Sequence, residues 1–479
     1  MKCRAAACGS LVLAAGLAGC AATHRHDADV ELYRRVSDPP GGVPLHEAGA
    51  DLTLEHALRL ASAHNEQLAQ QGERYVQALA ERQRRAAALK PTFDLVGGTS
   101  LRENTGDGIV QTTVGATGQY RLLTGLSDLR SVEASEARAR SSRWLILDLR
   151  ETLLLQTARA YYEVLRAERL GAVLESSVAT QMARLEDARA RNEVGFTRPL
   201  DVAQIEAQVS RTRAQLITAR GNALDARATL ALLTNADVAR SRLTDEFRAP
   251  ADAPARDTLL ALAHEHRQDV LAARAEVDAA RREVDAAIGQ YAPTLTIDLE
   301  TFVLQTPDDS ASAIASFIQL RVPLFSAGRI EADIRAAWSV FREAVLEHRL
   351  RTRAAVADVD SALARLGASR ARLEEFRTQV RAARDALTLA EASYQAGLGT
   401  NLERVTAQDE LLSAELEEVS EGFEHTLLTL ELRRACGLLA TEQIGSPRPQ
   451  ADDGEAEVPD APALDRRRVP PAREDGGRT

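Results

Sequence analysis

Proline is absent from two long stretches of this sequence, between Pro91 and Pro199 and between Pro323 and Pro447. Both are rich in Ala, Leu, Arg and Glu, which cost little in a helix. Leu126 to Glu193 contains one internal glycine, Gly171. At 1.5 Å per residue that stretch predicts a rod of roughly 100 Å. Ala327 to Ala396 predicts a second. Such rods far exceed the usual mean of about 11–12 residues and imply coiled-coil packing or a helical tube. Leu145, Leu149, Leu153 and Gln156 run into Tyr161, Leu165, Leu170 and Leu174 at heptad-like spacing. The match is imperfect, so a simple two-stranded coil is not demanded. Gly 28 and Pro 16 together are a low share of 479 residues, as expected for long regular elements.

The same succession of segments occurs twice. Pro91-Thr92 and Pro293-Thr294, Leu122 and Leu324, and Gly195 and Gly397 are each 202 residues apart. One offset at three turn and strand positions reads as a tandem duplication. Each copy opens with a helix (Leu54 to Leu89; Leu259 to Tyr291). A Pro-Thr step ends it and starts a strand. In the second copy Thr294, Thr296, Asp298 and Glu300 alternate with Leu295, Ile297, Leu299 and Thr301, the period of a strand with one polar face. A turn follows (Asn104 to Gly108; Thr306 to Ser310), then a return strand. In the second copy Ile318, Leu320, Val322 and Leu324 share a face, opposite Gln319 and Arg321. The long helix, a glycine-centred turn and a returning helix complete the copy (Asp201 to Thr234; Glu403 to Leu438).

Each chain thus supplies four strands of about 9–13 residues, the length and pattern of an outer-membrane β-barrel. Four strands cannot close a barrel, because single-chain barrels begin at eight; three chains would give twelve. A soluble hairpin pair packed on helices is the other reading. Outside the N-terminus no run of 18 or more apolar residues occurs, so a helical span is not expected. Any crossing has to be a closed barrel, which alone besides helices satisfies the backbone in lipid.

The N-terminus reads as an export signal, with Lys2 and Arg4 ahead of an apolar stretch from Ala5 to Leu17. It ends in Leu17-Ala18-Gly19-Cys20, which resembles a bacterial lipobox. That resemblance implies that Cys20 becomes the acylated first residue. Cys3 and Cys8 would leave with the signal, and Cys436 would remain as the lone thiol. Ala21 favours the outer over the inner membrane. The expected organisation is 1–19 signal, 20–50 lipidated tether, 51–245 first repeat, 246–256 linker, 257–440 second repeat and 441–479 disordered tail, the last dense in Pro and charge.

From Asp51 to Leu439 the chain resembles the TolC-like outer-membrane efflux family, in its lipidated branch. The resemblance rests on Leu52 to Ala61, Arg159 to Arg166, Gly195 to Gln208, Val322 to Arg329 and Tyr394 to Leu398, in that order and duplicated. It implies an α+β membrane protein. A homotrimer would form an outer-membrane barrel, four strands per chain, joined to a long antiparallel helical tunnel in the periplasm. It further implies an exit duct rather than an enzyme, without cofactor. Its partners would be outer-membrane lipid, a periplasmic adaptor (membrane fusion) protein and an inner-membrane pump. A lipid-anchored coiled-coil scaffold without a pore is the alternative, and it has no use for the strands.

The family's entrance lies at the helix–helix turns, here centred on Gly195 and Gly397, which the resemblance makes the adaptor contacts. Six residues beyond each is an acid, Asp201 and Glu403. Glu403 aligns with the first acid of the family's constriction. The second is replaced by Thr406. Asp201 aligns with a tip acid held by an ionic link, whose usual basic position is Gly399 here. As plain chemistry, either acid also suits a helix N-terminus.

The remaining motifs argue for little chemistry. The net charge of −11 lacks the basic footprint of a nucleic-acid binder. His264 and His266, at i and i+2 on a helix, point to different faces, and His24 and His26 fall in the tether. Neither pair is expected to bind metal. Asp308-Asp309 is expected in a surface loop. No phosphate loop, nucleophile elbow or zinc spacing occurs.

Overall fold

The computed structural model describes residues 33–34, 46–47, 49–104, 107–244, 254–305 and 310–439, without the side chains of 99–113 and 302–313. Cys20, His24, His26, Asp308, Asp309, most of the 246–256 linker and the 441–479 tail lie outside the described residues. So does all of the second of two contact-defined units, Pro447–Thr479; the first is Met1–Ser446.

The first repeat begins with a two-residue strand, β1 (Leu52–Thr53), and two helices, α1 (Leu54–His64) and α2 (Glu66–Ala87). A hairpin of β2 (Thr92–Asn104) and β3 (Asp107–Thr124) follows. Then come the 67-residue α3 (Ser127–Glu193), α4 (Pro199–Thr234) and the short β4 (Leu243–Thr244). The second repeat has α5 (Arg256–His266), α6 (Gln268–Gly289), β5 (Thr294–Gln305) and β6 (Ser310–Arg321). It closes with the 67-residue α7 (Arg329–Gln395) and α8 (Asn401–Ala435). α3 and α7 start 202 residues apart, the offset of the sequence repeat.

The opening helix of each repeat, expected to run unbroken, is two helices. In the first, Asn65 is extended, and its side chain accepts a hydrogen bond from the Gln67 amide at 2.9 Å, so α2 gains an N-cap where α1 stops. In the second, Arg267 is extended at the break between α5 and α6. Its guanidinium is held by Asp269 at 2.8 Å and by Asp358 of α7 at 2.6 Å. The strands are 13, 18, 12 and 12 residues long. β3 exceeds the expected length, continuing beside β5 through a register shift between Arg121 and Leu123.

The four long strands form one antiparallel sheet in the order β2-β3-β5-β6. The repeats join inside it, with Thr112 opposite Gln305 and Thr124 opposite Thr294. β2 and β6 have no further partner strand among the described residues. No described helix is long and apolar enough to cross a membrane.

The largest core cluster lies where the repeats meet at the waist of the helices. Leu52, Leu58, Leu154, Tyr161, Tyr162, Leu230 and Leu430 are all buried there. Full burial of each such Leu stabilises by about 1.5–3 kcal/mol. β1 pairs in parallel with β4, Leu52 opposite Leu243. The Tyr161 hydroxyl caps this pair. It lies 2.6 Å from the Leu52 carbonyl and 2.8 Å from that of Thr244, and accepts from the Thr244 amide at 3.0 Å. Cys436 is buried at the end of α8, its thiol 3.8 Å from the Leu259 carbonyl. Burial pushes that thiol up to about 11, so it stays protonated at neutral pH.

Candidate entrance site at the helix–helix turns

Two short turns reverse the chain at the ends of α3 and α7. Gly195 has φ +81° and Gly397 has φ +74°, the left-handed region that a side chain disfavours by about 1–2 kcal/mol. Both glycines therefore occupy the helix-ending conformation the sequence implied. The Phe196 amide donates to Arg191 O at 2.8 Å, and Asn192 Nδ2 to Thr197 O at 2.6 Å. In the second turn the Leu398 and Gly399 amides both donate to Ser393 O, at 2.9 and 3.0 Å.

Glu403 is exposed in the first turn of α8. Its carboxylate accepts from the Thr400 amide at 3.0 Å, and the Thr400 hydroxyl accepts from the Glu403 amide at 3.2 Å. This reciprocal cap satisfies two amides that a helix start leaves free. Thr406, the position of the missing second acid, is also exposed. Gly399 lies against this cap. A Cβ there would sit 3.2 Å from Glu403 Oε2 and 3.2 Å from the Tyr394 amide nitrogen. A basic side chain at 399 would crowd the arrangement.

Asp201 is only 7% exposed and has a cation in its own turn. Arg198 Nη2 and Nε donate to its two oxygens at 2.9 and 3.1 Å. The hydrogen bonds it donates to Asp201 raise the Arg198 pKa further above its ordinary value. Asp201 thus has a basic partner within its own turn, whereas position 399 offers none. An Arg three residues ahead of an Asp at a helix start was the available signal.

Sequence reasoning also missed Arg404. Its guanidinium carbon lies 4.3 Å above the centre of the Tyr394 ring, and Nη2 donates to Asn401 Oδ1 at 2.9 Å. Burial lowers its pKa, against the opposing pull of Tyr394, Asp187 and Asp201. The two hairpins are joined just above the turns. Gln208 Nε2 donates to Asp409 Oδ1 at 2.8 Å, and Arg184 reaches both Gln408 and Glu391. Bulky apolar side chains nevertheless face water at both tips, with Phe196 86% and Leu398 87% exposed beside Val194, Leu200 and Leu402. Exposed apolar clusters rimmed by polar residues are commonly contact surfaces.

Among the described residues, no group of three or more His, Cys, Asp or Glu is placed to hold a metal ion.

The family described as Outer membrane efflux protein matches this chain twice, over residues 57–236 and 259–435. Outer membrane protein TolC of Vibrio cholerae is 25% identical over 324 residues, 66% of this chain and 74% of that protein. Protein CyaE of Bordetella pertussis is 29% identical over 421 residues, 84% and 87% of the two. The crystal structure of the outer membrane protein VceC from Vibrio cholerae superposes with a TM-score of 0.71 at 21% identity, covering 80% of this chain and 96% of that one. Two family matches, falling one on each repeat of a helical-hairpin and sheet fold shared with an outer-membrane protein, lead to one conclusion: this chain belongs to the outer membrane efflux protein family and is an efflux channel of the outer membrane.

Proposed function

We propose that three copies of the chain close a twelve-stranded barrel over a periplasmic tunnel of helices. This duct passes cargo outward from an inner-membrane pump and its periplasmic adaptor. The observation that carries the reading is the sheet itself, four long strands whose outer members β2 and β6 each have an edge without a partner strand among the described residues. Unpaired strand edges are not tolerated in lipid, so neighbouring copies must supply them. Mass measurement of the detergent-solubilised protein is expected to give three chains. A stable monomer with its strand content intact would falsify the shared barrel, and absence of conductance in planar bilayers would favour the scaffold instead.

The Gly195 and Gly397 turns, with the apolar side chains exposed beside them, are the surface offered to the adaptor. Cys20 is the acylated first residue that ties the chain to outer-membrane lipid. Cys20→Ala is expected to abolish incorporation of labelled palmitate while leaving insertion of the barrel largely intact. Undiminished labelling would show that the lipobox is incidental.

Glu403 is proposed as the entrance constriction, with Asp201 beside it on the neighbouring tip. Three carboxylates near a three-fold axis, in a narrow mouth with low-dielectric walls, focus a negative potential. Glu403→Ala is expected to reduce cation preference and weaken block by divalent cations in single-channel recordings. The Thr400 hydroxyl still caps α8 in that variant, so the stability cost is only about 0.3–1 kcal/mol. Unaltered selectivity and block would leave Glu403 as a helix cap and nothing more.

A further inference from the structure

Given the shared barrel above, on which this rests, we propose that a second copy of the chain docks in the register that joins the two repeats within one chain. Phe325 of one copy then lies against Phe93 of the next. The joint inside the chain is the template. β3 runs past Gln119, its last residue paired with β2, as far as Thr124, because β5 pairs with that extension. There Leu123 lies opposite Leu295. β6 stops at Arg321, the counterpart of Gln119, where its pairing with β5 ends. Its other edge has no strand beside it among the described residues. Shifted by the repeat offset of 202, Leu123 maps to Phe325 and Leu295 to Phe93. Both phenyl rings face water, Phe325 90% and Phe93 72% exposed. Tyr120 and Ile297, paired just before the bulge, map to Val322 and Leu95, which are also exposed. Pro323 falls at the bulge itself, one of the few strand positions where a missing amide is tolerated.

The helices below show the same open flank. α3 packs on α1 and α2 of its own repeat and also on α6 of the next, while α7 packs on α5 and α6 of its own. In keeping, α6 is buried at Val270, Val277, Val284 and Ala287 among others, but α2 buries only Leu68 and Gly72. The bare side of α2 is the counterpart of the α6 side that α3 covers. In the proposed register α7 of the neighbouring copy covers it.

The two joints differ in what fills them. Within the chain the backbones nearly touch at Gly125 and Gly289, where a Cβ on Gly289 would lie 2.7 Å from the Gly125 carbonyl oxygen. The counterparts are Ala327 and Ala87, so two methyl groups hold the copies further apart at this level. Two phenylalanines in place of two leucines fill the added width, and aromatic cross-strand pairs are stabilising. Arg138 bridges α3 to Glu283 of α6 at 2.9 Å. It maps to the half-exposed Val340, and Glu283 maps to Glu81, whose carboxylate is already paired with Arg84 and Arg85 of its own helix. The joint between copies therefore lacks that ion pair and is held by apolar contact at the strand ends.

Disulfide trapping in the full-length chain tests the register. Paired residues of antiparallel strands have Cα atoms about 4.5–5.5 Å apart, within disulfide reach of about 4.4–6.8 Å. β2 and β6 are the outer strands of one four-stranded sheet, roughly 14 Å apart at about 4.8 Å per strand, so a bond between them has to join two copies. Phe93→Cys combined with Phe325→Cys is expected to run as covalent dimers and trimers on a non-reducing gel, and neither single variant should. Leu95→Cys with Val322→Cys is a second pair in the same register and decides the matter if the first pair does not fold. Leu95→Cys with Phe325→Cys displaces one thiol by roughly 6.6 Å along the strand and should abolish the product. Native mass measurement separates the failures. A trimer that cross-links through neither matched pair, or only through the displaced one, overturns the register and leaves the barrel standing. A monomeric wild type overturns both.

Discussion

Gly437→Ala is expected to destabilise the protein by about 2–5 kcal/mol, read as a lower midpoint of guanidinium unfolding. Two effects add. Gly437 has φ +70°, and an L side chain in that region costs about 1–2 kcal/mol. The site is also full. A Cβ there would lie 2.6 Å from His266 O, 2.8 Å from its carbonyl carbon and 2.9 Å from Arg267 Cα. These are backbone atoms at the α5–α6 break and cannot swing aside. Relieving such overpacking costs about 1–3 kcal/mol more. Gly397 separates the two effects. Its φ is similar, but nothing lies within 4 Å of its would-be Cβ. Gly397→Ala should show only the smaller backbone cost. Equal losses in both variants would mean that the contact with the break contributes nothing.

Arg267→Leu is expected to cost about 3–5 kcal/mol, the usual result of breaking a buried ion pair from one side. Arg267 is nearly fully buried. Burial opposes its charge, but Asp269 and Asp358 outweigh burial and raise its pKa above the ordinary value. Without the guanidinium, Asp269 stays largely buried and uncompensated. Asp269→Asn in the same chain removes that charge while keeping an oxygen for the Val270 amide, which Asp269 Oδ1 now accepts at 2.9 Å. The double variant should recover part of the loss. If Arg267→Leu alone melts like wild type, the pair is not what holds the break.

What the sequence disclosed was local. The 67-residue helices followed from helix-favouring composition and absent proline, and the strand starts at Thr92 and Thr294 from the Pro-Thr steps. The glycine turns followed from a residue type that the left-handed region selects. What it concealed depended on residues far apart. The break at Arg267 is fixed by Asp358, 91 residues away, and no proline or glycine marks it. The tight fit of Gly437 exists only once α8 meets α5. Asn65 is a partial exception, because an Asn two residues before the amide it caps was open to inspection. At the tips, the acids stood out by spacing. Their actual companions were the near neighbour Arg198 for Asp201, and for Glu403 a cap that already occupies its carboxylate.

The Tyr161 hydroxyl, drawing Leu52 and Thr244 together, turns the first repeat into a closed circuit. The second is closed in a comparable way where Cys436 and Gly437 meet Leu259 and Gln268. Both circuits are pinned near the same level of the long helices, leaving about 30 residues of α3 below Tyr161 as a lever of roughly 50 Å. A tilt of about 5° at such a fulcrum displaces the far end by roughly 4 Å, close to one helical pitch of 5.4 Å. Side chains packed at the waist can therefore set where the turns at the far ends lie without touching them, and a substitution that loosens the fulcrum is felt at tips whose own residues are unchanged.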